Sequence, residues 1–567
     1  MTKLPLKLPR LIGYADRPLS KGLATPSSMG LPYGILLSTT DVDDDQEPGA
    51  VVAALSVEDG GGWTFELLAD GDGAFALSGS NLVVGVAGLD HDAAPAPEIK
   101  IRAVSATRTL SRTVTMNVRR PLPALPMANG TKLVNLSHSF GQRGAFTNNK
   151  GVQSGAVRAA LPWIRQWDHR FNMDMWYDET LPWMTSTNRI GGSHSSVGGD
   201  HIVAEGGAPG TITRTPWVID RQPGIVYLDI GVNDISSGVG VTSAAHVIER
   251  LDRQLALLRN AGIWTVIQTV TDRGAWPVGD AKQTIVEGVN DWIKAQATRS
   301  GVKVCDLTGL GFNYPLFDAS LFGGDVLHPN PKGGRAIATA LLPILQAMVT
   351  AGDTRNLDPT SGNLWPSYGL LGTTGTISAT YGSGQVATGH RILRNGGTAV
   401  SALCSKEVID QTYEKQVVAF TSTGGGTRGE NWRFTYGSSA LLFSAIGVAE
   451  GDWLEELMYV ELSPWDGWLS ISALVELYET GTLRASSGAG FVNPDSSTQD
   501  LPLTDGWAGW IRVMPTQVTD AANRIRLDSR PLSIDIDATK AGTGILKVSK
   551  PILRKVVDPR IAWNLAG

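Results

Sequence analysis

Between residues 131 and 350 two textures alternate, and they do so nowhere else in the chain. Continuous apolar runs, "KLVNLS" (132–137), "GIVYLDIG" (224–231) and "IWTVIQTV" (263–270), are strands without a polar face. Helical patterns follow them: "SAAHVIERLDRQLALLRNAG" (243–262), "QTIVEGVNDWIKAQATRSG" (283–301) and "GGRAIATALLPILQAMV" (333–349). In the first of these, apolar residues recur at helical spacing, charges take the opposite face, and a glycine closes the segment. A strand that is apolar on both sides must be covered on both sides. The alternation therefore predicts a parallel sheet with helices on both faces.

The flanks read differently. Residues 29–121 hold short β-like runs, among them "GAVVAALSV", "WTFELLA" and "EIKIRAVSA", separated by Gly- and Asp-rich turns, which predicts a small antiparallel sandwich. From residue 353 the strand–helix alternation stops, and runs such as "QVVAFTST", "NWRFTYG" and "WLSISALVELYE" predict a larger, jelly-roll-like sandwich. The expected division is thus an arm or linker over 1–28, a β-sandwich over 29–121, an α/β domain over 122–352 and a C-terminal sandwich over 353–567. A chain of 567 residues has room for about three or four domains.

Composition narrows the function classes. The net charge is −6, with acids and bases mixed along the chain, so no phosphate-binding surface is expected and nucleic acid is set aside as a partner. No run is long enough to span a bilayer. The N-terminal stretch is interrupted by Pro5 and Pro9 and lacks the apolar core of a secretory signal. Cys305 and Cys404 have no metal-ligand spacing around them and read as buried thiols. The acidic run Asp41–Asp45 reads as a solvated loop rather than a calcium site, and no cofactor or metal is expected.

In an open parallel sheet, reactive side chains gather beyond the carboxyl ends of the strands. Four segments carry suggestive residues there: "NLSHSFGQRG" with Ser139, "NRIGGSHSS" with Gly191 and Gly192, "GVND" with Asn233, and "GGDVLHPNPKGG" with Asp325 and His328. Taken in order, these resemble the blocks of the SGNH (GDSL-type) hydrolase family, over about residues 128–350. Gly231-Val232-Asn233-Asp234 and Asp325-Val326-Leu327-His328 match the family's third and fourth blocks as written. The first block departs from Gly-Asp-Ser and reads Ser137-His138-Ser139.

The resemblance implies a flavodoxin-like fold and a serine esterase. Ser139 is then the nucleophile, with Ser137 as its rival, His328 the base and Asp325 the group that orients it. The Ser139 and Gly192 N–H groups and the Asn233 amide are then donors to the oxyanion, with Gly191 as the alternative glycine. His138, His194 and His201 are expected as polar walls of the pocket, since their spacing fits no zinc pattern.

The stretch 48–84 resembles a cadherin-like domain, and "SGNLWPSYGLLGTTGTISATYGSGQVATGHRI" (361–392) is similar to the start of carbohydrate-binding-module-like sandwiches. Such assemblies resemble phage tail fibre or tailspike proteins. They imply removal of O-acetyl or similar acyl groups from a surface polysaccharide, an extracellular or virion location, and other tail proteins or further copies of the chain as partners. "SPWDGW" makes Trp465 and Trp468 the expected sugar-stacking residues. The competing expectation is a glycan-binding adhesin or receptor-binding protein whose hydrolase fold has lost catalysis.

Overall fold

The computed structural model describes residues 34–58, 62–145, 156–174, 189–191, 193–238, 240–519 and 521–564. The chain divides into two compact units, one up to Val118 and the other from Arg119.

The first unit contains a four-stranded sheet in the order Ile35–Leu37, Val51–Val57, Asn81–Val84, Phe75–Ser78 and a three-stranded sheet Thr64–Asp70, Glu98–Val104, Thr109–Thr115. Along Val51–Val57 the alternation sends Ala53, Leu55 and Val57 inward. They share one core with Phe75, Leu82, Ile99 and Ile101. This is the sandwich that the short alternating runs predict.

The second unit begins with an α/β domain. Its strands β1 (Thr131–Ser137), β2 (His194–Ser196), β3 (Ile225–Asp229), β4 (Trp264–Gln268) and β5 (Val302–Cys305) are parallel and lie in the order β2-β1-β3-β4-β5. The short strand Arg189–Gly191 adds to β2 in antiparallel sense. Among the described residues seven helices accompany the sheet: α1 (Ser139–Ala145), α2 (Ala160–Trp167), α3 (Thr211–Asp220), α4 (Val232–Ser237), α5 (Ala244–Asn260), α6 (Ala281–Ala295) and α7 (Pro331–Met348).

The strands are sandwiched because their two faces are both apolar. Leu133, Ile225 and Tyr227 face a core with α2 and α7, while Val134, Leu136, Val226 and Leu228 face one with α5 and α6. α5 meets the sheet with Val247, Leu251, Leu255 and Leu258, spaced by three or four residues. α7 starts at Pro331 because the Asn330 side chain accepts the Lys332 and Gly333 N–H groups. The strand order reverses between β1 and β3. A crevice for ligands opens at such a reversal, beyond the carboxyl ends of the strands.

The C-terminal part is a sandwich of an eight-stranded and a seven-stranded sheet. It packs against the α/β domain as part of the same unit. Trp163 of α2 lies 5.2 Å from Phe491, the Val157 N–H donates to the Val492 carbonyl at 3.0 Å, and Trp163, Phe491 and Trp468 belong to one continuous core. Ion pairs Arg158–Asp495 and Arg355–Asp174 cross the same seam. Cys305 and Cys404 are both buried and unpaired with each other. Among the described residues no helix is long and apolar enough to cross a membrane.

Candidate active site

β1 ends at Ser137, and α1 begins two residues later at Ser139. So abrupt a strand-to-helix turn requires α1 to sit close on the sheet. Gly141 allows it: a Cβ there would lie 2.5 Å from both Asn135 Nδ2 and Ser196 Oγ. The turn leaves Ser139 half-buried at the carboxyl end of β1, with no acceptor for its N–H among the described residues.

The loop before α7 brings the other two groups. His328 Nε2 lies 2.9 Å from Ser139 Oγ, and His328 Nδ1 lies 2.6 Å from Asp325 Oδ2. In this arrangement Nδ1–H donates to the carboxylate and Nε2 accepts the hydroxyl hydrogen. The loop is folded by that same carboxylate, whose Oδ1 accepts the N–H groups of Leu327 (3.2 Å) and His328 (3.0 Å). Val326, between them, has φ 48°, an unusual conformation for a β-branched residue, and is tied down by Gly274 N–H on its carbonyl.

Electrostatics suits general-base catalysis. Partial burial pushes the Asp325 carboxyl up, but the hydrogen bonds from His328 and Leu327 outweigh it and hold it at about 2, so it is ionised at neutral pH. Burial lowers the His328 pKa below its ordinary 6.5 against the raising effect of Asp325, and the nearby cations of Arg143 and Arg158 lower it further. His328 is therefore unprotonated, and a base, at neutral pH.

Asn233 sits on the first turn of α4, beyond β3 and at the same end of the sheet. Its amide donates to the Asp200 carbonyl at 2.8 Å, which fixes its orientation, and its second N–H has no partner among the described residues. Asp200 is itself held by Arg214 Nε at 3.0 Å, and Arg214 also reaches the Ser137 carbonyl at 2.9 Å and Ser195 Oγ at 2.8 Å. One fully buried guanidinium thus ties the ends of β1 and β2 to the loop that orients Asn233. Asp234 adds a second tie by accepting the Ile202 N–H and Arg250.

Residues 146–336 match the model of the GDSL-like Lipase/Acylhydrolase family. The match and the Ser139–His328–Asp325 chain lie on one sheet. The central α/β domain is SGNH-like. Solved structures similar to it include a carbohydrate esterase family 3 protein from Talaromyces cellulolyticus, 20% identical, covering 38% of this chain and 96% of that one with a TM-score of 0.26. An acetyl-xylooligosaccharide esterase mutant from Geobacillus Stearmophilus is 14% identical, covering 41% and 100% with a TM-score of 0.29. A GDSL-like lipase from Bacteroides thetaiotaomicron is 14% identical, covering 38% and 88% with a TM-score of 0.28. No curated protein matches the chain.

The family match begins after residue 139, so it does not cover Ser139. Ser137, by contrast, is fully buried, its Oγ accepts the Gly141 N–H and its hydroxyl faces Asp229 at 3.3 Å. Gly192 lies outside the described residues. Gly191 is opposite His194 on the edge strand, below the Ser137–Ser196 level and toward the amino end of the sheet. The glycine that follows β2 at the catalytic end is Gly198, next to Gln142 of α1. A strand read from "HSSV" rather than a glycine read from "IGG" points to it.

The expectation that Trp465 and Trp468 stack on sugars is corrected. They are 7% and 0% exposed and pack edge-to-face on each other at 5.1 Å in the sandwich core, so neither presents a free ring face. His194 and His201 are buried, and among the described residues the two ring nitrogens of His201 have no hydrogen-bond partner. His138, expected as a polar wall of the pocket, lies behind Ser139 with Asp229, which had no assigned role in the sequence pattern. The only sign of Asp229 there is an acid ending an otherwise apolar strand.

Proposed function

We propose that the protein is a serine esterase that removes O-acetyl or similar small acyl groups from an extracellular or cell-surface polysaccharide. The observation that carries the esterase part is the unbroken hydrogen-bond chain from Ser139 Oγ through His328 to Asp325. Ser139 Oγ attacks the ester carbonyl while His328 Nε2 takes its proton. Asp325 stabilises the imidazolium that forms. The oxyanion is met by the Ser139 N–H and the free N–H of Asn233. The tetrahedral intermediate expels the sugar hydroxyl, which takes the proton from His328, and water repeats the sequence on the acyl-enzyme.

The polysaccharide part is supported by the sandwich fused to the hydrolase domain. An open groove of about 1010 Å³ runs between α7 and the sandwich, lined by Leu321 and Leu501 as well as by Lys332, Arg335, Asp500 and Lys540. Its hydroxyl and charged groups offer hydrogen bonds to a hydroxyl-rich chain. A surface polysaccharide is met outside the cell, so a secreted or virion-borne tail protein is the setting of the same proposal. The test is acetate release from an O-acetylated polysaccharide by the full chain and its loss in Ser139→Ala. Glycan binding without acetate release would favour the adhesin instead.

A further inference from the structure

Ser139 is faced by two histidines. On the solvent side His328 Nε2 lies 2.9 Å from its hydroxyl. On the buried side His138 Nδ1 lies 3.4 Å from the same oxygen. His138 Nδ1 also accepts the Phe140 N–H at 3.3 Å, so it carries no hydrogen, and in the neutral ring the hydrogen is on Nε2. That Nε2 faces Asp229 Oδ1 at 3.8 Å. An Asp carboxyl group and an imidazole therefore line up twice with the Ser139 hydroxyl, once on each side of it.

We propose that His138 is a positioning residue for the nucleophile: with Asp229 it forms an inner His–carboxylate pair whose weak hold on the Ser139 hydroxyl leaves the hydrogen to His328. The proposal rests on Ser139 being the nucleophile of the esterase. Three features keep the inner pair weak. The 3.8 Å gap leaves His138 Nε2–H loosely bound to Asp229. Burial, with His328, Arg214 and His201 nearby, lowers the His138 pKa to about 3, so the ring stays neutral. Burial raises the Asp229 carboxyl to about 7 against the hydrogen bond from Ser137, so it keeps its proton up to near neutrality. The other groups around Asp229 are Gln268, which donates to Oδ1 at 3.2 Å, and the neutral Tyr227 and Cys305.

The consequence is a built-in limit on the alkaline side. When Asp229 ionises it draws the His138 Nε2–H and makes Nδ1 a stronger acceptor. The single hydroxyl hydrogen of Ser139 then turns toward His138, and His328 has nothing to abstract.

The test measures the rate at which a fluorophosphonate labels Ser139 in the full chain, from about pH 5 to about pH 9. This readout needs an activated serine but no particular ester, so the polysaccharide reading can fail separately, by an absence of acetate release. In the parent the rate falls as pH rises through about 7, and Asp229→Asn, which cannot ionise, abolishes the fall. His138→Asn keeps an acceptor at the Nδ1 position and loses the link to Asp229. It labels within about threefold of the parent at pH 6 and has no alkaline fall. His138→Gln loses the Nδ1 acceptor and labels about tenfold more slowly or worse. The same alkaline limb in parent and Asp229→Asn, or equal losses in the Asn and Gln variants, overturns the proposal. A parent that takes no label overturns it together with the esterase reading.

Discussion

Two His–Asp pairs sit within reach of one serine, and their surroundings give them opposite characters. The outer pair, Asp325–His328, lies on a loop at the mouth, where backbone N–H groups reach the carboxylate and hold it ionised. The inner pair, Asp229–His138, lies at the end of a buried strand, where removal from water keeps the acid protonated and the imidazole neutral. The same two residue types thus give a base on one side and a passive support on the other. Hydration and hydrogen-bond donors decide which is which.

The largest expected effect breaks the outer pair. His328→Ala leaves the hydroxyl without a base, and kcat for p-nitrophenyl acetate should fall by at least about 10³-fold. A variant with near-parental turnover would transfer the role of base to His138. The next effect belongs to the inner pair and is read as stability. An unfolded Asp229 ionises near 3.9, while the folded one keeps its proton to about 7. The unfolded state therefore holds fewer protons between those values, and stability falls as pH rises through that window, by up to about 4 kcal/mol. Urea unfolding of Asp229→Asn should be flatter across the same window and the variant should gain on the parent at pH 8.

Asn233→Ala removes the proposed oxyanion donor, which neither pair can replace, and kcat should drop roughly 10²-fold, a barrier increase of about 3 kcal/mol, with KM little changed. The smallest effect sharpens the electrostatics of the outer pair alone. Arg143 lowers the His328 pKa, so Arg143→Gln should move the acid limb of the kcat/KM profile to higher pH. A limb that stays in place would mean that solvent screens this half-exposed cation completely.

Much of the outer site was legible in the sequence because it rests on local patterns. "DVLH" places an acid three residues before a histidine, and the apolar runs of β1 and β3 announce the strands whose ends carry Ser139 and Asn233. The inner pair was not, because it depends on strand adjacency. Ser137 and Asp229 are register partners on β1 and β3, 92 positions apart, and no spacing rule connects them. Gly198 was not legible for a similar reason: the carboxyl end of β2 is visible only when β2 is seen to run parallel to β1. The tryptophans misled because composition does not tell a core aromatic from a surface one. Trp468 fills the space between two sheets and donates its indole N–H to the Ser463 carbonyl at 3.0 Å. The seam between the hydrolase domain and the sandwich was equally invisible, since Trp163 and Phe491 read only as core residues of two separate segments.

The account stands on Ser139 being the atom that attacks. Peptide mass spectrometry of the full chain after reaction with a fluorophosphonate tests this directly. A single adduct on Ser139, absent from His328→Ala under the same conditions, is the expected result. An adduct on Ser137, or equal labelling of Ser139 with and without His328, would contradict it.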